Sequence, residues 1–143
     1  MTASRPLECI ILVGLPGAGK STFARATFPR HEYISKDAFP PSARNKQTRQ
    51  DAALRAALAA GRSVLVDNTS VTPADRAAII AIAREFAARI VGYYFDVTTS
   101  EAIARNEGRE GRAKVPKVAI FTSAKRLIPP ALDEGFDELH TIR

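Results

Sequence analysis

The chain has 143 residues, of which 45% are hydrophobic and 25% charged, and these values fit one folded domain with one core. No apolar run reaches the length that a bilayer-spanning helix needs, and a lone cysteine, Cys9, forms no internal disulfide. We therefore expect a single cytoplasmic domain over residues 1–143, with no membrane partner. The net charge of +6 favours anionic partners such as nucleic acid, although any protein that binds phosphate groups would carry a similar excess of cations.

Strand and helix signals alternate along the chain. The first strand is continuously apolar, which is typical of a strand buried on both faces of a parallel sheet. Thr72 and Pro73 supply an N-cap and a first helical residue for the third helix. This alternation predicts an α/β fold with a mainly parallel sheet of about five strands. In chain order, strands are predicted at 7–13, 32–35, 63–67, 89–95 and 136–142, and helices at 21–27, 46–60, 73–88, 100–105 and 116–127.

A glycine-rich loop follows the first strand and matches the pattern G-x-x-x-x-G-K-[ST] over residues 14–21. Its backbone N–H groups can cradle phosphate oxygens, and the next helix adds its positive N-terminus. Lys20 is expected to reach the β- and γ-phosphates of ATP, and the Ser21 hydroxyl to bind Mg²⁺. A dinucleotide loop fits less well because Thr22 occupies the place of its third glycine. The predicted nucleotide contacts are Gly14, Pro16, Gly17, Ala18, Gly19, Lys20, Ser21 and Thr22.

Two aspartates fall at the carboxyl ends of predicted strands, where open α/β sheets bind their ligands. Asp37 follows the short second strand, and its carboxylate can take the proton of an acceptor hydroxyl that attacks phosphorus. Asp67 ends the third strand, where it can hold Mg²⁺ or orient Ser21. For both positions, an aspartate that only caps a turn is the alternative.

The segment 104–116 combines arginines at helical spacing with glycines, namely Arg105, Arg109, Arg112, Gly108 and Gly111. Arginines three to four residues apart share one helix face and could neutralise charge on a triphosphate. The glycines favour a mobile lid over a plain surface helix, whereas a solvated basic helix is the alternative. Together with the phosphate loop, this pattern predicts a three-layer fold of the P-loop NTPase or kinase type with an arginine-rich lid.

These motifs together resemble the kinase module of the 5′-polynucleotide kinase family, P-loop enzymes that phosphorylate the 5′-hydroxyl ends of DNA and RNA. The resemblance covers nearly the whole chain. Its blocks at 66–76 and 104–116 are more specific than the phosphate loop itself. The matching segments are GLPGAGKST at 14–22, ISKD at 34–37, VDNTSVTPADR at 66–76, ARNEGREGRAKVP at 104–116 and DEGFDEL at 133–139.

The resemblance implies roles for individual residues. Lys20 and Ser21 would bind the ATP phosphates and Mg²⁺, and Asp37 would be the base that activates the 5′-hydroxyl. Asp67 would support the phosphate loop and the acceptor side of the site. The implied arginine roles are the transferred phosphate for Arg109, with Arg105 nearby, and acceptor binding for Arg44 and Arg76.

The chain also departs from the family pattern. Some members carry an arginine three residues after the base, where this sequence has Pro40. No D-x-D-G-T phosphatase motif is present, so we expect kinase activity alone.

Two other functions remain open at this level. A small-molecule kinase for a sugar, a nucleoside or an antibiotic would share the loop, the base and the arginine lid. A nucleotide-binding switch or ATPase without an acceptor would share the loop alone.

Overall fold

The computed structural model describes residues 6–111 and 114–143, whose central feature is a sheet of five parallel strands in the order β2-β3-β1-β4-β5. All four strand pairs run parallel, as the alternation of strands and helices predicted. The strands are β1 (Glu8–Val13), β2 (Glu32–Ile34), β3 (Val64–Asp67), β4 (Arg89–Phe95) and β5 (Glu138–Ile142).

Five α-helices connect these strands in the described part of the chain, and two short 3₁₀ turns lie at Lys36–Ala38 and Leu132–Glu134. Each predicted helix is present, with shifts at the ends. The helices are α1 (Lys20–Thr27), α2 (Lys46–Ala59), α3 (Pro73–Glu85), α4 (Thr99–Glu107) and α5 (Lys117–Arg126).

Helix ends follow local capping. Thr72 caps α3 in a reciprocal capping box with Asp75, and Pro73 is its first residue, as predicted. The predicted end of α3 at residue 88 is wrong, because Ala87 adopts a φ of 54° and turns the chain after Glu85. Helix α4 extends beyond its predicted bounds and begins at a second capping box, between Thr98 and Glu101.

The sheet is the middle of three layers. Alternate residues of β1 point to opposite faces, so that Cys9, Ile11 and Val13 pack with apolar residues of α2 and α3. Ile10 and Leu12 pack on the other face with apolar residues of α1. The predicted three-layer α/β fold is thereby confirmed.

The parallel strands bring several loops to one edge of the sheet. The glycine-rich loop follows β1, the turn Lys36–Ala38 follows β2, and the segment after Asp67 follows β3. The N–H of Gly14 donates to the carbonyl of Thr69 at 3.0 Å, which ties the first of these loops to the third. No described helix is long and apolar enough to cross a membrane.

Candidate active site

The glycine-rich loop is built from backbone conformations that only glycine adopts readily. Gly17 and Gly19 have φ values of 86° and 93°, and Gly19 is the N-cap residue of α1. The loop therefore ends at a helix N-terminus, the arrangement in which backbone N–H groups bind phosphate. Of the other predicted contacts in this region, Ala18 is buried, Pro16 is half-buried and Thr22 is exposed on α1.

Lys20 is 7% exposed and curls back over the loop, where its Nζ donates to the carbonyls of Gly14 at 3.1 Å and Leu15 at 2.8 Å. Burial lowers the pKa of Lys20 to about 8. The Asp67 carboxylate opposes that shift, Arg109 adds to it, and Asp37 opposes it. All three predicted site residues therefore lie within electrostatic reach of this ammonium group.

Ser21 and Asp67 meet beside the loop. The Ser21 Oγ donates to Asp67 Oδ2 at 2.8 Å, and Asp67 is 5% exposed at the carboxyl end of β3. A hydroxyl and a carboxylate oxygen suit Mg²⁺, which binds few protein oxygens and relies on substrate phosphates for others. No described group of three or more His, Cys, Asp or Glu side chains could hold a metal ion. The chemistry of the Ser21–Asp67 pair thus fits Mg²⁺ that arrives with a nucleotide.

Tyr33 is a member of this site that sequence reasoning missed. Its hydroxyl donates to Asp67 Oδ2 and lies 3.3 Å from Ser21 Oγ. Burial raises the pKa of Tyr33 to about 12, and its hydrogen bond to Asp67 adds to the shift. Tyr33 reaches this site because it pairs in β2 with Leu65, two residues before Asp67, and this register is set by the sheet.

Asp37 lies on the exposed turn Lys36–Ala38 that follows β2. The N–H of Asp37 donates to Ser35 Oγ at 3.2 Å, and the N–H of Lys36 donates to Asn68 Oδ1 at 3.0 Å. The turn is therefore attached to the segment after β3, which also carries Asp67. The structure thus brings the candidate base, the candidate metal ligands and Lys20 to one edge of the sheet.

Helix α4 contacts the glycine-rich loop directly. A Cβ at Gly17 would lie 2.5 Å from the carbonyl oxygen of Ala102, and one at Gly19 would lie 3.2 Å from Arg105 Nη1. The Arg105 guanidinium is therefore adjacent to the loop, and its contact with the nucleotide stays a prediction. Arg109 is half-buried two residues beyond the end of α4.

A side-chain clamp lies at the end of α4. Asn106 is 1% exposed, and its amide donates to the carbonyl of Val115 at 2.7 Å while accepting the Val115 N–H at 2.9 Å. Arg112 lies outside the described residues, so a lid over 104–116 stays a prediction.

The two arginines predicted to bind the acceptor differ in their surroundings. Arg44 is exposed in the segment before α2. Arg76 is fully buried in α3, where it pairs with Glu134 at 2.7 Å and donates to the carbonyl of Ser70 at 2.9 Å. The prediction that Arg76 binds the acceptor is therefore corrected, because its guanidinium is enclosed in the core.

A protein-family model described as an AAA domain matches residues 9–130. The chain belongs to this family. The match includes the glycine-rich loop, both strand-end aspartates and α4.

This AAA domain also resembles a curated protein, the bifunctional polynucleotide phosphatase/kinase of Schizosaccharomyces pombe (strain 972 / ATCC 24843), with 29% identity over 142 residues. The match covers 94% of this chain and 33% of the relative, so the chain spans about a third of that protein's length.

Solved structures of kinases share the fold of the AAA domain. A sugar kinase from Janibacter sp. HTCC2649 superposes with a TM-score of 0.71 at 18% identity, covering 96% of this chain and 85% of the other. A fungal RNA kinase superposes with a TM-score of 0.70 at 17% identity, covering 98% of this chain and 39% of the other. The fold is thus that of P-loop kinases.

Proposed function

We propose that this AAA domain is an ATP-dependent kinase that transfers the γ-phosphoryl group to the 5′-hydroxyl end of a polynucleotide. The observation that carries the proposal is that Lys20, the Ser21–Asp67 pair and the turn that bears Asp37 lie at one edge of the sheet, with Asp67, Arg109 and Asp37 within electrostatic reach of the Lys20 ammonium group. A phosphate-binding cation, a metal-binding carboxylate and an exposed carboxylate are the parts that phosphoryl transfer to an alcohol requires.

The chemistry follows from these positions. The loop and the N-terminus of α1 hold the ATP phosphates, and Lys20 exchanges its loop carbonyls for phosphate oxygens. Mg²⁺ held by Ser21 and Asp67 would neutralise phosphate charge. Asp37 removes the proton of the acceptor hydroxyl as its oxygen bonds to the γ-phosphorus, and ADP leaves with the bridging oxygen. Lys20, Arg105 and Arg109 stabilise the charge that develops.

The polynucleotide acceptor is supported by a group of cations that follows the base in the chain. Arg44, Lys46 and Arg49 follow Asp37 in the chain, and both arginines are exposed. A 5′-hydroxyl end carries a phosphodiester directly after its terminal sugar. These cations can bind that phosphodiester while the hydroxyl faces Asp37. The 29% identity to the S. pombe phosphatase/kinase supports the same acceptor class.

A small-molecule kinase is the second candidate. The sugar kinase from Janibacter sp. HTCC2649 shares the fold over 85% of its own chain, so the architecture also suits a compact acceptor. The two functions differ in their response to salt, because binding of successive phosphates releases counterions and a neutral alcohol releases none.

The deciding experiment measures transfer of labelled γ-phosphate to a 5′-hydroxyl oligonucleotide, its terminal nucleoside and a panel of sugars across a salt series. We expect the oligonucleotide to be labelled best, with a KM that rises steeply with salt and that Arg44→Ala increases. Asp37→Asn should lower kcat by about 10²-fold or more with little change in ATP affinity.

Asp133→Asn is the matched control, because Asp133 also lies exposed on a 3₁₀ turn, Leu132–Glu134. We expect it to leave kcat unchanged. Better labelling of a sugar or nucleoside would favour the small-molecule kinase. ATP hydrolysis with no labelled acceptor, unaffected by Asp37→Asn, would favour an ATPase.

A further inference from the structure

A chain of hydrogen bonds connects the core side of α2 to the turn that carries Asp37. Gln50 Oε1 accepts from Asn68 Nδ2 at 2.7 Å, and Asn68 Oδ1 accepts from the backbone N–H of Lys36 at 3.0 Å. Lys36 directly precedes the candidate base. The relay therefore links three elements that are distant in sequence: α2, the segment after β3 and the turn after β2.

The backbone N–H of Lys36 determines which group donates and which accepts in each hydrogen bond of the relay. A backbone N–H can only donate, so Asn68 must present its oxygen to Lys36, which leaves its NH₂ group facing Gln50. Gln50 must then present its own oxygen. Only an acceptor at position 50 completes the relay, and a side chain of the same shape without one would leave the Asn68 NH₂ group without this partner.

Gln50 is an unusual residue for its position. It is 1% exposed on a helix whose other buried side chains are apolar, namely Leu54, Ala57 and Leu58. Burial of an amide is unfavourable unless it is hydrogen-bonded, and an apolar residue would serve packing as well. The polar side chain at this point is therefore explained by its bond to Asn68.

The turn that receives the relay is short and lies at the edge of the sheet. Asp37 is exposed on a three-residue turn, and β2 is a strand of three residues that forms one edge of the described sheet, beside β3. A general base must be held close to the productive geometry, because a displacement of about 1 Å can cost about 10²-fold in rate. The relay supplies a fixed point next to Asp37.

We propose that Gln50 is a positioning residue for the Asp37 carboxylate, acting through Asn68 and the backbone of Lys36; this rests on the proposed kinase function. Gln50→Leu removes the acceptor and keeps the bulk. We expect kcat for the acceptor to fall by about 10-fold, while KM for ATP stays within about twofold, because Gln50 bonds the side chain of Asn68, whereas the phosphate loop bonds the backbone carbonyl of Thr69.

The control is Gln47→Leu, which removes an exposed glutamine of the same helix whose amide bonds Asp51. We expect it to leave kcat unchanged. Should Gln50→Leu fail to fold, Asn68→Ala breaks the same relay from the other side, and the same loss of kcat is expected. Wild-type kcat in a folded Gln50→Leu or Asn68→Ala variant would overturn the proposal.

A double-mutant cycle separates positioning from general damage. If Gln50 acts through Asp37, Gln50→Leu should cause no further loss in an Asp37→Asn background. A further loss of about 10-fold, equal to that in the wild-type background, would overturn the proposal.

A third measurement does not depend on catalysis. Hydrogen exchange of the Lys36 amide should be faster in Gln50→Leu than in wild type and unchanged in Gln47→Leu. Unchanged exchange in Gln50→Leu would overturn the relay. If wild type labels no acceptor, the proposed function fails, and the exchange result still decides whether Gln50 holds the turn.

Discussion

Lys20 shows how burial sets the chemistry of a single residue. Burial lowers its pKa to about 8, against the opposing effect of the Asp67 carboxylate. The side chain is thus mostly protonated at neutral pH but close to losing its charge. An arriving phosphate favours the protonated form, so nucleotide binding above about pH 8 should be accompanied by proton uptake.

The depressed pKa of Lys20 predicts a pH dependence of stability. Unfolding returns the pKa from about 8 to its ordinary value of 10.5, so the unfolded chain binds more protons between these values. Wild type should therefore gain stability relative to Lys20→Met as pH rises through this window, with a slope approaching about 1.4 kcal/mol per pH unit. Urea denaturation of both proteins from pH 6 to about 10 tests this, and parallel curves throughout would contradict it.

At the scale of elements, the contact between α4 and the glycine-rich loop depends on Gly17. The carbonyl of Ala102 occupies the space that a side chain at this position would need. The loop and the helix that carries Arg105 therefore pack as one unit.

Gly17→Ala tests that contact. The added Cβ would lie 2.5 Å from Ala102 O, in a residue whose φ is 86°. Gly61→Ala is the matched control, because Gly61 has a φ of 77° and nothing within 4 Å of its would-be Cβ. Both variants should bear a left-handed backbone cost of about 1–2 kcal/mol. Gly17→Ala should lose clearly more and also weaken ATP binding, measured by urea denaturation and nucleotide titration; equal losses would contradict the contact.

Across the whole molecule, Arg76 and Glu134 connect helix α3 to the turn before β5. Arg76 in α3 binds Glu134 in the turn before β5 through two hydrogen bonds of 2.7 and 2.9 Å. It also holds the carbonyl of Ser70, in the segment after Asp67. The side of the sheet that carries β5 is thereby linked to the segment that follows the candidate metal ligand.

Removal of Glu134 should be costly because it strands a buried charge. Glu134→Ala should lose about 3–5 kcal/mol of unfolding free energy. Burial raises the pKa of Glu134, but hydrogen bonds from Arg76 and the Ala131 N–H outweigh it and lower the pKa overall. The contribution of ionised Glu134 to the stability of the folded protein is therefore present above its ordinary pKa of 4.5 and is lost as pH falls below that value.

The control is Glu107→Ala, which removes exposed ion pairs of 3.6 and 3.7 Å to Lys114 and Lys117. It should cost under about 1 kcal/mol. Denaturant unfolding at pH 7 and at about pH 4 compares the two variants. A similar small loss in both would contradict the role of the buried pair.

Sequence reasoning succeeded where the signal is local. The apolar run of β1 and the glycine-rich loop are contiguous, so their structure follows from neighbouring residues. Tyr33 and Gln50 reach the site through contacts with residues 67 and 68, which only the packed sheet brings near. The prediction for Arg76 was wrong for a related reason. The sequence motif identifies the residue, but whether its side chain is buried depends on its partner Glu134, which is distant in the sequence.

The clamp between Asn106 and Val115 affects where this domain can accept inserted residues. Because one buried amide binds both the N–H and the carbonyl of Val115, the two ends of the intervening segment are held together independently of its contents. Lengthening that segment costs mainly chain entropy, about 0.6 kcal/mol for each doubling. It is therefore a natural point of insertion, where new sequence could add recognition of a different acceptor while the sheet and the glycine-rich loop stay as they are.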